Sequence, residues 1–171
     1  AAAAAAESQA QEQAAAKAAA AQGADPGKEV KRVLSELKKL GEAEVPRELK
    51  QAFRKLNGHL KGADFSGMKV KGLDLRMIDL TDANFKGAVM TDWTFHGLGN
   101  TPSSTLDGAN FSGAVMQHVN MKGVSAKGAN FSNVTLVGLE RGKSVVDLSD
   151  ANLEGADFSD IKFTGDPNAK S

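Results

Sequence analysis

The word GANFS stands at residues 108–112 and returns at 128–132, and a near copy, GADFS, fills 62–66 and 155–159. The two identical words are twenty residues apart, four times five, and five is the period of the sequence around them. Taking one apolar residue per unit as its centre, the centres run Leu60, Phe65, Val70, Leu75, Leu80, Phe85, Met90 and Phe95. After a break they run Leu106, Phe111, Met116, Met121, Ala126, Phe131 and Leu136, and after a second break Leu148, Leu153, Phe158 and Phe163. All 19 centres are apolar, and seven of the eight phenylalanines of the chain fall on them, which random placement would not produce. Two residues before nearly every centre stands a second, usually small, apolar residue, as at Ala63, Ala83, Ala109 and Ala129. Two residues after it glycine is commonest, and between the apolar pair comes Asp, Asn, Thr or Ser in most units.

A period of five belongs neither to a helix nor to a straight strand. Within a unit the spacing is two, so both apolar residues point to the same side of an extended segment. The next pair follows after three residues and would face the other way unless the chain turned once per unit. Gly, Asn, Asp and Ser permit that turn. A chain that bends every five residues with its apolar side always inward is a coil around an apolar core, its backbone paired to the coils above and below at about 4.8 Å.

These residues closely resemble the pentapeptide repeat family, whose consensus reads Ala-(Asp/Asn)-Leu followed by two variable positions, over residues 58–165. The resemblance implies an all-β repeat, a right-handed quadrilateral β-helix of about five coils with four units per coil. The twenty-residue return of GANFS agrees with four sides and predicts Phe131 stacked on Phe111. An apolar, unpaired coil end needs covering, and the preceding residues supply an N-terminal α-helical cap.

That cap is read at residues 28–57. Val30, Val33, Leu34, Leu37 and Leu40 share one helical face and Gly41 stops the helix; Pro46 suits the first turn of a second helix with Leu49, Ala52, Phe53 and Leu56 as its apolar side. Residues 1–27 are an Ala-rich flexible tail or tether, since no apolar stripe is present in 1–22 to dock a helix, and GADPG at 23–27 breaks the pattern. Residues 166–171 form a C-terminal tail. The chain opens on Ala1 rather than Met, which reads as a processed or trimmed chain.

Composition narrows the function. Lys plus Arg equals Asp plus Glu at 21 each, so nucleic acid is not the expected partner. Residues 1–61 hold 11 basic and 8 acidic side chains, and residues 62–166 hold 9 basic and 13 acidic. There is no cysteine, hence no disulfide or thiolate chemistry. No apolar run approaches the roughly 18 residues of a membrane span, so direct membrane insertion is not expected. No phosphate loop, dinucleotide fingerprint or nucleophile elbow is present. His96 and His118 follow centres Phe95 and Met116, which the count of faces puts on one face in adjacent coils, so they could be neighbours, but a metal site would also need carboxylate partners and an enclosed pocket. The recurrent Asp and Asn are expected to hold turns. Trp93, the single tryptophan, occupies a position usually given to Ala and is expected in the core beside Leu73 and Ala114. No catalytic residue, cofactor or metal is assigned.

Counting faces in fours predicts four columns: Phe65, Phe85, Leu106, Ala126, Leu148; Val70, Met90, Phe111, Phe131, Leu153; Leu75, Phe95, Met116, Leu136, Phe158; and Leu80, Met121, Phe163. On that count both breaks replace a unit on the fourth face. Loops on a rigid scaffold carry binding, so the candidate partner-binding residues are His96, Leu98, Asn100, Thr101 and Pro102 in the first break and Leu139, Glu140, Arg141 and Lys143 in the second. The expected function is a non-catalytic protein–protein interaction or scaffold module, an accessory or assembly subunit of a larger complex. The Ala-rich N-terminus, short helical region and compact β-helix resemble the small thylakoid-lumen members of the family. That implies the thylakoid lumen of a chloroplast, with a mitochondrial or cytosolic setting as the alternative. A DNA-mimicking, topoisomerase-binding protein is the alternative function.

Overall fold

The structure, a computed structural model, describes residues 25–138 and 146–165. The expected tail is thus described only from Asp25, and residues 166–171 lie outside the described residues. Asp25 begins the first helix, α1 (Pro26–Lys39): its carboxylate accepts from the Gly27 amide at 3.0 Å and Pro26 takes the first turn. The helix therefore starts two residues before the boundary expected at residue 28, because Asp25 serves as its cap and Pro26 and Gly27 as its first turn. It ends at Leu40 and Gly41, the latter at φ +61°, and it buries Val30, Val33, Leu34 and Leu37. Pro46 precedes α2 (Arg47–Lys55), which buries Phe53. Between the helices, Glu44 bridges Lys71 in parallel: Lys71 N–H donates to Ala43 O at 3.0 Å and Val45 N–H to Lys71 O at 3.3 Å. The cap is stitched to the first coil by backbone as well as by side chains.

From Leu60 the chain winds in parallel coils. Most centres donate their N–H forward, as Phe65 to Asn84 O at 2.7 Å, and the next coil donates back, as Asn84 to Ala63 O at 2.9 Å. The short strands β1 (Val89–Thr91), β2 (Val115–Gln117), β4 (Thr135–Val137) and β6 (Lys162–Thr164) form one parallel face, and β3 (Val119–Asn120) pairs with β5 (Val146–Asp147) on another. Most corners pass through a left-handed residue two after the centre, a glycine such as Gly62 or Gly87 or a tolerant Asp, Asn or His such as Asp82, Asn133 or His118.

The pairing corrects the expected columns. Asp64 sits over Asn84, Asn84 over Asn110, Asn110 over Asn130 and Asn130 over Asp157. Phe85 therefore stacks on Phe111, not on the column of Leu106. Leu106 follows Phe95 directly on the next face, since Thr105 bridges Asp79 and Ser125. No face is skipped at either break. Instead residues 98–103 are inserted between two consecutive faces, and Ser104 and Thr105 still fill the small and polar positions of the unit. The second break works likewise: Leu136 pairs with Met116 and Val146 with Val119, so residues 139–145 are the insertion and lie outside the described residues. Trp93 accordingly shares its column with Leu73 and Val119 rather than with Ala114.

Rings make the axis of the core. Phe65, Phe85, Phe111, Phe131 and Phe158 stack in turn, centroids 4.7–4.8 Å apart with interplanar angles between 2° and 14°. That spacing is the strand spacing, so the backbone imposes a face-to-face stack that free rings do not favour. Phe95 meets Phe85 and Phe111 edge-on, and Phe53 of α2 continues the ladder into the cap at 5.8 Å from Phe65. Trp93 is fully buried and its Nε1–H donates to Val70 O at 2.7 Å. Under the cap, Leu60, Phe65, Met68 and Val70 are fully buried; at the other end Phe158 is 39% and Phe163 69% exposed.

Candidate docking site

The repeat's own polar side chains are engaged in the turns. Asp64, Asn84, Asn110, Asn130 and Asp157 each accept, through Oδ1, the amide two residues on, at 2.8–3.1 Å. This is the turn-holding role expected of them. The departures from regularity are the places to look for recognition.

The insertion 98–103 leaves the rod through a tight neck. Gly97 N–H donates to Ser103 Oγ at 3.1 Å, and a Cβ on Gly97 would lie 2.1 Å from Thr101 O, so the close approach of two backbones requires glycine there. Ser103 Oγ donates to Lys122 O at 2.9 Å. Ser104, buried, donates its hydroxyl to Leu75 O and accepts from Ile78 N–H at 3.2 Å. Above this neck, Leu98 is held by Thr101, whose Oγ1 accepts from Leu98 N–H at 2.7 Å and donates to Leu98 O at 2.6 Å. The leucine is nevertheless 61% exposed. Asn100, Thr101 and Pro102 are exposed beside it. His96 stays at the base, half-buried, with Nδ1 at 3.0 Å from Lys122 O.

Leu98 and Thr101 border a surface cavity of about 390 Å³ whose other walls are Arg54 and Asn57 of the cap and Asp74, Arg76, Met77 and Ile78 of the first coil. Asp74 is its electrostatic centre. Its Oδ1 accepts from the Arg76 amide at 3.2 Å and Nε at 2.8 Å, and its Oδ2 from Arg76 Nη2 at 2.6 Å and Arg54 Nη2 at 3.0 Å. Burial pushes this carboxyl up, but the hydrogen bonds from Arg76 and Arg54 outweigh it and hold the pKa at about 2. Asn57 Nδ2 donates to Met77 O at 2.9 Å and clamps that corner to the cap. These groups bring charge, hydrogen-bond donors and apolar surface together in one cavity.

The breaks do not replace units on a shared fourth face: the first lies between the column of Phe95 and that of Leu106, and the described residues flanking the second belong to the columns of Leu136 and Leu148. Leu139, Glu140, Arg141 and Lys143 lie outside the described residues. His96 and His118 are not neighbours either: His118 Nδ1 faces Asp92 at 3.4 Å, one corner away from His96. Among the described residues no group of three His, Asp or Glu is placed to hold a metal ion. Arg54, Asn57, Asp74, Arg76, Met77 and Ile78 were not foreseen from the sequence. One signal for them was there, since Met77 occupies the corner position that elsewhere takes Gly, Asp, Asn or His.

The model of the family described as pentapeptide repeats matches the chain in eight copies, over residues 59–97, 103–138 and 145–165, and the chain belongs to the pentapeptide repeat family. Its fold is the right-handed quadrilateral β-helix, here preceded by helices. Among solved structures the chain is similar to HetL, a pentapeptide repeat protein involved in heterocyst differentiation regulation from the cyanobacterium Nostoc sp., with 16% identity over 66% of this chain and 61% of that one, TM-score 0.41. It is also similar to a pentapeptide repeat protein of the Arabidopsis thaliana thylakoid lumen, with 28% identity over 60% and 66% of the two chains and a TM-score of 0.33. A third similar structure is Rfr23 of the cyanobacterium Cyanothece, with 19% identity over 56% and 63% and a TM-score of 0.30. The chain spans less than two thirds of the length of each of these three. The curated proteins contain no match to it.

Proposed function

We propose that the chain is a non-catalytic protein-docking module, an accessory or assembly subunit of a larger complex, and that the insertion at 98–103 is part of its docking surface. One observation carries this reading: a rod that keeps its apolar side inward and spends its repeat polar groups on turns holds Leu98 out in solvent on a hydrogen-bonded loop. An ordered, exposed apolar side chain on a rigid scaffold is suited to recognition. The thylakoid lumen is the proposed setting, on the strength of the Ala-rich segment, short helical region and compact β-helix in succession. DNA mimicry would call for a densely acidic rod, whereas residues 62–166 carry 9 basic side chains against 13 acidic ones.

The test uses two deletions. Removing residues 98–103 joins Phe95-His96-Gly97 to Ser104-Thr105-Leu106 and leaves a consensus unit; removing 139–145 does the same at the second break. Tagged full-length chain and both variants are crosslinked in native extract and in thylakoid lumen fractions, and the adducts are mapped by mass spectrometry. The expected result is a discrete partner set crosslinked to the intact chain and lost from the 98–103 deletion, with folding retained. A partner set unchanged in the double deletion would reject the insertions as docking elements.

A further inference from the structure

Met77 is the anomaly that opens the corner cavity. Its φ of +62° is left-handed, and the other non-glycine residues with positive φ among the described ones are Asp, Asn or His. A long apolar side chain is disfavoured in that conformation, which small polar residues tolerate. The cost is not recovered by burial, because Met77 is 48% exposed. With Leu98 it makes one of two places where large apolar side chains are exposed among the described residues, the other being the free end of the coil at Phe158 and Phe163. Methionine suits a surface that must fit a partner's side chain.

Charge adds a second constraint. Two guanidinium groups and one carboxylate line the cavity, whose other lining residues are uncharged. Asp74 already receives four N–H donors on its two oxygens. Arg54 uses only one of its N–H groups on it, and the Arg54 side chain is 68% exposed. The cavity thus presents a net positive charge and spare, correctly forked donors beside an apolar rim. Three elements fix it in advance: Asn57 holds the Met77 corner, Ser104 holds the base of the insertion, and Thr101 holds Leu98. Little ordering remains to be done on binding, which favours affinity.

We infer that this cavity receives a segment of a partner protein in which a carboxylate side chain lies beside a large aliphatic one, the carboxylate on Arg54 and the aliphatic group between Met77 and Leu98. The inference rests on the reading of the chain as a docking module and supplies the chemistry of the docked segment. Guanidinium groups pair with carboxylates in a forked geometry, and the apolar rim selects a peptide over a bare anion.

The full chain, labelled with 15N and with 13C at methionine methyls, is titrated by NMR with the acetylated, amidated tetrapeptide Leu-Glu-Leu-Gly, with Leu-Gln-Leu-Gly, and with sodium acetate. The Glu peptide is expected to give saturable shifts at the Met77 methyl and Arg54 Nε, with at least about tenfold weaker binding for the Gln peptide and for acetate. Arg54→Gln should weaken Glu-peptide binding about tenfold with folding intact. Met77→Gly should weaken it while raising the urea midpoint, because glycine relieves the left-handed corner; a loss of binding through misfolding would lower that midpoint. Absence of saturable shifts at about 10 mM peptide overturns the proposal, as does equal binding of the Gln peptide; acetate binding as tightly as the Glu peptide reduces the site to an anion site. If the peptide fails while deleting 98–103 still abolishes partner crosslinks, docking stands and this chemistry falls. Crosslinks that survive both deletions remove the docking reading itself, whatever the peptide does.

Discussion

Phe111 lies between Phe85 and Phe131 with ring centroids 4.7 Å away on either side, and Phe95 meets its edge at 6.4 Å. A ring enclosed so completely has no neighbour free to collapse into its place, since the rings above and below are held at the strand spacing. Phe111→Ala is therefore expected to cost about 3–5 kcal/mol, the sum of lost transfer energy and a retained cavity. Phe163, the centre stacked on Leu136 in the last coil, is 69% exposed, and Phe163→Ala should cost about 0.5 kcal/mol. Urea midpoints followed by the fluorescence of Trp93 give both numbers, and comparable losses in the two variants would contradict the gradient of burial along the rod. At this scale the sequence was legible. GANFS repeated at twenty places Phe111 on Phe131 because identical words in a coil of four units fall on the same face. Trp93 was legible as core and beside Leu73, but its other neighbour, Val119 rather than Ala114, depended on the register beyond a break.

The elements divide into a capped end and a free end. α1 and α2 cover Leu60, Phe65, Met68 and Val70, and they are fastened by Lys38 to Asp64 at 3.0 Å and Arg54 to Asp74 at 3.0 Å as well as by the Glu44–Lys71 bridge. These ion pairs are exposed on at least one side and contribute little each; the Phe53 ring on Phe65 and the backbone bridge are the larger attachments. Removing the chain through residue 57 should uncover an apolar coil with an unpaired edge, which invites association. Sedimentation velocity is expected to show concentration-dependent oligomers for the truncated chain, at protein concentrations where the full chain shows fewer. A truncated chain that stays monomeric and equally stable would mean the helices serve a partner rather than the rod. The helices were readable from their apolar faces, and the units from their period. The register across the breaks was not, because 11 or 12 residues between centres fit either a lengthened pair of units or an insertion between neighbouring faces. A further signal decides between them: ANFKGAVM at 83–90 and ANFSGAVM at 109–116 share seven of eight letters at a spacing of 26, the shift that the pairing of Val89 with Val115 displays. The corner cavity was hidden for a different reason, since it joins a helix, a coil and an insertion that are distant in sequence.

Taken whole, the molecule is neutral, yet several of its carboxylates, Asp64, Asp74, Asp79, Asp147 and Asp157 among them, are placed so that folding lowers their proton affinity. Burial raises the Asp74 carboxyl, and the hydrogen bonds from Arg76 and Arg54 more than reverse that, to a pKa of about 2 from an ordinary 3.8. Asp79 and Asp147 are lowered chiefly by the hydroxyls of Thr81 and Ser149, and Asp157 by the amide of Ser159. The sign follows from linkage. Between the two pKa values of such a group the unfolded chain binds more protons than the folded one, so the stability it contributes is present above the ordinary value of 3.8 and is lost as pH falls through the lowered one, which for Asp74 is about 2. Because the turn-holding aspartates recur along the coil, the loss is spread over the rod, and Asp74 adds a share that also loosens the cap. The urea midpoint, read from the single buried tryptophan, is expected to fall steadily over that interval and to change little between about pH 5 and pH 7. Asp74→Asn should lower the midpoint at neutral pH, because the amide leaves two guanidinium groups without their shared anion. It should also flatten the acid slope, because the group no longer titrates. A midpoint that held from pH 5 down to about pH 2, or an unaltered slope in the Asn variant, would show that these hydrogen-bonded carboxylates are not what ties the stability of the rod to pH.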